Sequence, residues 1–555
     1  MTAATVPGLF ADDLIFARRP LVAAMLLILF MAVGFALRVH NLGAESLGED
    51  EFNKLETVNS YRKDGLSGKN GEHPFLMKGL QTVSMVAASK INDSITSPDS
   101  KISDEAALRF PVALFGSLTP LLIFLLISEI FGRSIGLVSS ILWAVEPMAV
   151  GFDRIAKEDS LALFFFLLTL LFWVKAQTAA ELGRRNWTNY LWLASIAFGG
   201  MMASKYYPHL LAVAAAYYMI FQSNPETKWR LERVRWMKFI LLSGFAFIIL
   251  SPTILLPDTW KEMLKFSSEN RIGHDSYEYW GVLYTNKMSA WLAGVPWTFY
   301  YVFAAVKSSF STILLFMIGI PIMFLRRLGD GRFLVLAWAF YWFIPYSVMG
   351  GKFTRYFAMA EPLILIVAAV AFYFSLMWLK EKFAAQSVLP SVLQVALLAV
   401  IVAFPLWNSV SYSPHFRLFT NTLGGGAVAA GSYFPHDEFY DASTKDIVAK
   451  ISEQAANGAR VLCETPALFE YYARKSGRED LDFGSLSEVD KIGGLAVGDF
   501  IVLARGRRYR SNQAFFDYFE KSAVPSAETK LGEVISTRIY KLDENQVTQV
   551  KKLIK

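Results

Sequence analysis

Three consecutive carboxylates, Glu49, Asp50 and Glu51, follow Gly48 shortly after the first apolar run of the chain. Such groups can take a proton from a hydroxyl, and repulsion between neighbouring carboxylates, with partial burial, is expected to raise their pKa. A solvated acidic turn has the same composition. Downstream, Glu72-His73-Pro74-Phe75 and Lys78 set a histidine beside a proline that fixes the backbone. Cations form the second group: Arg109, Arg154 with Lys157, Lys205, and Lys352 with Arg355. An arginine fork grips phosphate oxygens in two places, and such cations stabilise the charge left when a sugar departs from a phosphate. Snorkelling to phospholipid headgroups is the plain alternative for each. Together the two groups suit sugar transfer from a lipid-linked phosphate to a hydroxyl, with Asp50 or Glu51 as base. That chemistry requires no metal. Glu49 and Glu51 could contribute to a divalent site, but neither an Asp-x-Asp pair nor clustered histidines accompany them.

These residues must be positioned by membrane helices. Of 555 residues, 54% are hydrophobic and 18% charged, too apolar for a soluble cytosolic enzyme. The glycine and proline counts and the single Cys463 exclude collagen-like and disulfide-rich classes. Eleven apolar stretches are long enough, or nearly so, to cross ~30 Å of hydrocarbon as helices. They are 20–38, 107–128, 134–150, 160–174, 190–204, 206–221, 238–256, 296–325, 333–350, 356–379 and 388–410. The net charge of +6 arises largely from basic residues in alternate loops, among them Arg18, Arg133, Arg184, Arg326 and Lys380. That pattern marks cytoplasmic loops rather than a nucleic-acid partner. The amino terminus is then inside, with 20–38 a retained signal anchor. Three long segments, 39–106, 257–295 and the tail from 411, are outside. The cations singled out above lie at outer span ends, where the positive-inside rule disfavours them, so an anionic partner is expected.

Residues 411–555 alternate helix-like stretches (Ser443–Ala456, Ala467–Lys475, Asn512–Lys521) with strand-like ones (Arg460–Cys463, Phe500–Ala504, Arg538–Lys541). They read as a soluble α/β domain after a membrane domain spanning 1–410. The stretch Tyr433 to Asp441 has the aromatic-acidic composition that contacts sugars, and also that of an ordinary lead-in loop. The segment 257–295 adds Trp260, Arg271, His274 and Asp275, which suit either interfacial anchoring or a cap over a sugar.

In their order and predicted sides, several motifs resemble the membrane-embedded GT-C glycosyltransferases. These are Asp50-Glu51, His73-Pro74, Arg109-Phe110-Pro111, Arg154 to Asp159, Ser204-Lys205-Tyr206 and Lys352 to Tyr356. The resemblance is specifically to the dolichyl-phosphate-mannose protein mannosyltransferase superfamily and its bacterial relatives, over residues 20 to about 380. It implies a polytopic α-helical, GT-C-like protein of the bacterial cytoplasmic membrane with an extracytoplasmic α/β domain. It also implies inverting transfer of a sugar, mannose among the candidates, from a polyprenyl-phosphate donor to a lipid, glycan or protein acceptor outside. Asp50 would be the base and Glu51 would position the acceptor. Arg109, Arg154, Lys205, Lys352 and Arg355 would hold the donor phosphate, supported by His73, Lys157 and Asp159. The His73-Pro74-Phe75 motif lacks the second proline common in that family. Aminosugar or pentose transfer to a lipid or polysaccharide stays open, and so does a different class, a lipid flippase or transporter, which would be expected to carry inverted repeats.

Overall fold

The computed structural model describes residues 14–220, 229–268, 274–382 and 389–553; Arg271 lies outside them. A short α1 (Ile15–Arg18) leads into α2 (Pro20–Val39), where proline at the first position needs no hydrogen-bond donor. The first long loop folds as α3 (Glu49–Asp64) and α4 (Phe75–Asp93). Then come α5 (Asp104–Phe131), α6 (Arg133–Val145), α7 (Pro147–Phe152), α8 (Asp159–Glu181) and α9 (Trp187–Ser204). They are followed by α10 (Leu211–Ile220), α11 (Arg233–Leu250) and α12 (Pro257–Ser268). A hairpin of β1 (Ser276–Tyr279) and β2 (Val282–Thr285) precedes α13 (Phe299–Lys307), α14 (Phe310–Ile322), α15 (Arg332–Val348), α16 (Glu361–Lys382) and α17 (Leu389–Tyr412).

Every apolar stretch contains at least one helix. Among the described residues, five helical segments are long and apolar enough to cross a membrane: Pro20–Val39, Pro98–Phe131, Asp159–Glu181, Glu361–Lys382 and Ser391–Tyr412. Helices α6, α14 and α15 are apolar but shorter. The stretch 296–325, which reads as one span, is two helices broken at Ser308-Ser309. The buried Glu146 caps the second: Ser309 N–H donates to Oε1 (2.5 Å) and the Thr312 hydroxyl to Oε2 (2.9 Å). A distant carboxylate thus satisfies a helix start that apolar patterning cannot reveal. One continuous core joins these helices and buries Trp143, Trp173, Trp338 and Trp342. Arg38, buried near the end of α2, bonds through Nε to Asp153 (2.8 Å) and through its terminal nitrogens to the carbonyls of Ala144 and Trp143, tying α2 to α6 and the segment after α7.

The C-terminal part contains α18 (Pro435–Phe439), α19 (Thr444–Gln454), α20 (Pro466–Lys475), α21 (Val489–Gly493), α22 (Gln513–Ser522) and α23 (Glu544–Leu553). They surround a five-stranded sheet in the order β4-β3-β5-β7-β6. Its strands are β3 (Arg460–Cys463), β4 (Asp482–Ser485), β5 (Phe500–Ala504), β6 (Ala527–Leu531) and β7 (Val534–Lys541). The first three run parallel, with Val461 opposite both Phe483 and Phe500, while β7 pairs antiparallel with β5 and β6. One face of this sheet does not close on itself. Phe52, Leu55 and Val58 of α3 share a core with Ile447, Val461, Phe469 and Val502, so the first loop and the sheet fold as one unit.

Candidate active site

Helix α3 starts with its three carboxylates in the first turn, where the helix dipole favours negative charge. Its N-cap must be Gly48, because a Cβ there would run into the ring of Tyr440. Successive helical residues differ by ~100° in direction, so the three carboxylates part ways.

Glu51 points inward and is fully buried. Its Oε1 accepts from Arg109 Nε (2.8 Å) and Ala156 N–H (2.7 Å); its Oε2 accepts from an Arg109 terminal nitrogen (2.7 Å) and Gly48 N–H (2.8 Å). The remaining Arg109 donors go to the carbonyls of Leu42, Glu45 and Ser46.

Asp50 faces a cavity of about 550 Å³. Its Oδ2 lies 2.9 Å from both Lys157 Nζ and Arg355, and the Tyr440 hydroxyl donates to it at 3.4 Å. Lys205 also lines the cavity, 2.5 Å from Asp159 Oδ1 and over the rings of Tyr207 and Tyr356. At its floor Lys54 and Glu158 form a buried pair at 2.5 Å, with His73 Nδ1 3.8 Å from the other Glu158 oxygen. Glu49 turns towards the C-terminal part, where Arg507 reaches its Oε2 at 2.8 Å.

The electrostatics reverse one expectation. Burial would raise the carboxyl pKa values, but paired cations more than offset it. Arg507 and His274 hold Glu49 down at about 2. Lys157 and Arg355 hold Asp50 well below the usual range, and Arg109 lowers Glu51. Mutual repulsion among the three is the lesser effect because each meets its own cation. Burial lowers the Lys157 ammonium to about 8 against the pull of Asp50, and burial takes His73 well below its usual value despite Glu158.

Asp50, His73, Lys157, Asp159, Lys205 and Arg355 therefore meet around one cavity. Glu51, Arg109, Arg154 and Lys352 do not line it. Glu51 and Arg109 saturate each other. Arg154 donates to the carbonyls of Leu37, Arg38, His40 and Asn41, closing the end of α2. Lys352 is buried, with Nζ on the carbonyls of Val295 and Met349. Arg109, Arg154 and Lys352, expected in the phosphate collar, thus stand outside the lining of this cavity, their donors taken by backbone carbonyls and, for Arg109, by Glu51. Glu51 is likewise walled off from an acceptor.

Several residues of the cavity wall, or packed directly behind it, escape sequence reasoning. Lys54 stands four residues after Asp50 on one helix, a spacing that places both on one face. Arg507 has only the basic run Arg505 to Arg510 as a signal. His436 and Tyr440, from the aromatic-acidic stretch, form part of the wall. Tyr440 (φ 45°) and Asp441 (φ 58°) both adopt the left-handed region, a conformation costing on the order of 1–2 kcal/mol each for such residues. The strain places Tyr440 against Asp50 and Asp441 against Arg507. As for a metal, among the described residues no three histidine, cysteine or acidic side chains gather to hold one. Asp50, Glu49, Glu158 and Asp159 each face a cation instead.

Comparisons with known proteins agree with this architecture. The fold is similar to that of solved GT-C membrane glycosyltransferases. Residues 101–255 match the family described as dolichyl-phosphate-mannose-protein mannosyltransferase. The oligosaccharyltransferase of Archaeoglobus fulgidus aligns with a TM-score of 0.51 and 12% identity, over 87% of this chain and 69% of that one. ArnT from Cupriavidus metallidurans bound to undecaprenyl phosphate aligns at 0.49 and 14%, over 92% and 97%. Arabinofuranosyltransferase AftD from Mycobacteria aligns at 0.41 and 11%, over 96% and 40%. No curated protein sequence matches the chain.

Proposed function

We propose that this chain is an inverting glycosyltransferase that moves a sugar from a polyprenyl phosphate to an acceptor hydroxyl, with mannose the first sugar to test. The observation that carries the reading is Asp50 bridged by Lys157 and Arg355 in a partly open cavity. The family match over 101–255 supports a lipid-phosphate sugar donor. In this reading the donor phosphate binds Lys157 and Arg355 in competition with Asp50. As the cations turn to phosphate, Asp50 loses the charges that suppress its basicity and becomes the better proton acceptor. The acceptor oxygen then attacks the anomeric carbon, the bond from that carbon to the phosphate oxygen breaks, and the hydroxyl proton passes to Asp50. Polyprenyl phosphate departs with its charge against Arg355, Lys157 and Lys205, the last held by Asp159.

In the same reading, residues 1–410 are the catalytic membrane domain, the amino terminus is cytoplasmic, and 411–555 lies outside in a bacterial cytoplasmic membrane. Supporting this, the three long segments meet at one end of the bundle: Arg507 NH1 is 2.8 Å from Glu49 and 3.0 Å from His274.

The test is to incubate purified protein with a panel of polyprenyl-phosphate sugars and acceptors and identify released lipid and modified acceptor by mass spectrometry. Release of lipid phosphate from no donor would overturn the reading. A pH prediction accompanies it. With Lys157 cationic below about 8 and neutral above, affinity for undecaprenyl phosphate is expected to fall as pH rises through that value. In Lys157→Arg it should stay level to about pH 10, since arginine keeps its charge there. Isothermal titration across pH checks both.

A further inference from the structure

We propose that Glu49, held in place by Arg507, binds a second hydroxyl of the acceptor, so that the acceptor is a glycan or glycoside presenting neighbouring hydroxyls rather than a lone side-chain hydroxyl. This inference rests on the glycosyltransferase reading above and narrows its acceptor.

The cavity is divided in charge. Around Asp50, two cations, Lys157 and Arg355, face one carboxylate. Around Glu49 one cation, Arg507, is shared between Glu49 and Asp441, the latter buried behind the cavity lining. The first side suits an anion and the second suits hydrogen-bond donors. Glu49 engages the protein through Oε2 alone, with Arg507 at 2.8 Å and His274 at 3.4 Å. Its Oε1 has no hydrogen-bond partner among the described residues, and the side chain is 45% exposed. Because Glu49 and Asp50 are adjacent in the first turn of α3 and both line the cavity, two donors of one acceptor can reach them together. A sugar ring carries such paired hydroxyls, and Tyr440, Phe353 and His436 line the same wall.

Arg507 is the positioning residue. Its guanidinium is fully engaged: Nε donates to Asp441 (2.7 Å), NH2 to the other Asp441 oxygen, and NH1 reaches Glu49, His274 and the Tyr509 hydroxyl. His274 Nε2 lies within reach of both Arg507 NH1 (3.0 Å) and Glu49 Oε2 (3.4 Å). That ring stacks on Tyr509 with centroids 4.0 Å apart. Asp441, in its left-handed conformation, also accepts from Glu49 N–H at 3.0 Å. The C-terminal part therefore fixes both the backbone and the carboxylate of Glu49.

The experiment uses the full-length protein in nanodiscs with decaprenyl-phosphate mannose, or whichever donor the panel selects. The acceptors are octyl β-glucoside, its 2-, 3-, 4- and 6-deoxy analogues, and a Ser/Thr peptide. Wild type is expected to glycosylate octyl glucoside in preference to the peptide and to lose at least tenfold in kcat/KM with a deoxy analogue lacking the neighbouring hydroxyl. Glu49→Gln and Arg507→Ala should raise the acceptor KM at least tenfold while the donor KM moves less than twofold, and Arg507→Lys should recover part of the loss. Preference for the peptide, indifference to every deoxy change, or donor and acceptor KM rising in parallel would overturn the inference while leaving the glycosyltransferase reading intact. No lipid release from any donor would overturn both.

Discussion

Asp50→Asn is expected to slow sugar transfer by about 10²–10⁴-fold, the usual contribution of a positioned general base, and at the same time to tighten the binding of undecaprenyl phosphate. The second half follows from the geometry. Asp50 occupies Lys157 and Arg355, each at 2.9 Å, and asparagine keeps the shape while releasing both cations to a competing anion. A rate loss with unchanged or weaker lipid-phosphate affinity, measured by titration, would remove the competition between Asp50 and phosphate from the mechanism. A variant that turns over normally would remove Asp50 as the base.

The second large effect concerns stability. Arg109→Ala should lower the melting temperature by about 3–4 °C, from a cost of about 3–5 kcal/mol for stranding a buried carboxylate in a chain of 555 residues. Glu51 would lose two of its four hydrogen bonds, and the carbonyls of Leu42, Glu45 and Ser46 would lose their donor. Folded variant isolated at low temperature should still bind undecaprenyl phosphate as tightly as wild type. A variant that melts normally but binds that lipid tenfold more weakly would return Arg109 to the phosphate site.

These two residues show how far the sequence can be read. Apolar runs give the helices, and charge at their ends correctly marks Asp50, Lys157, Lys205 and Arg355 as neighbours of one cavity. Strands Arg460–Cys463 and Phe500–Ala504 are legible to the residue, because short β-branched and aromatic runs between turns have few other uses. What composition cannot disclose is the direction of a side chain. Asp50 and Glu51 are chemically alike and adjacent, yet a helical step sends one to the cavity and the other into the protein. Arg154 and Arg355 both sit at span ends, and only tertiary neighbours decide that the first meets carbonyls and the second a carboxylate. Strands β2, β4 and β6 carry no clean alternation, and β1 alternates over only four residues, so pairing with their partners, rather than local preference, defines them. Arg507 lies 458 residues from Glu49, a distance over which spacing carries no message.

The core shared between α3 and the C-terminal sheet has a consequence for biogenesis. Phe52, Leu55 and Val58 are made early, but Val461, Phe469, Val502 and Ile539, which cover them, come from the last fifth of the chain. Until those strands are made, this side of α3 is covered by Met85, Ala107, Leu108 and Ala156 from the earlier part of the chain. Completion of the core around α3 therefore waits on the last strands of the chain to be synthesised.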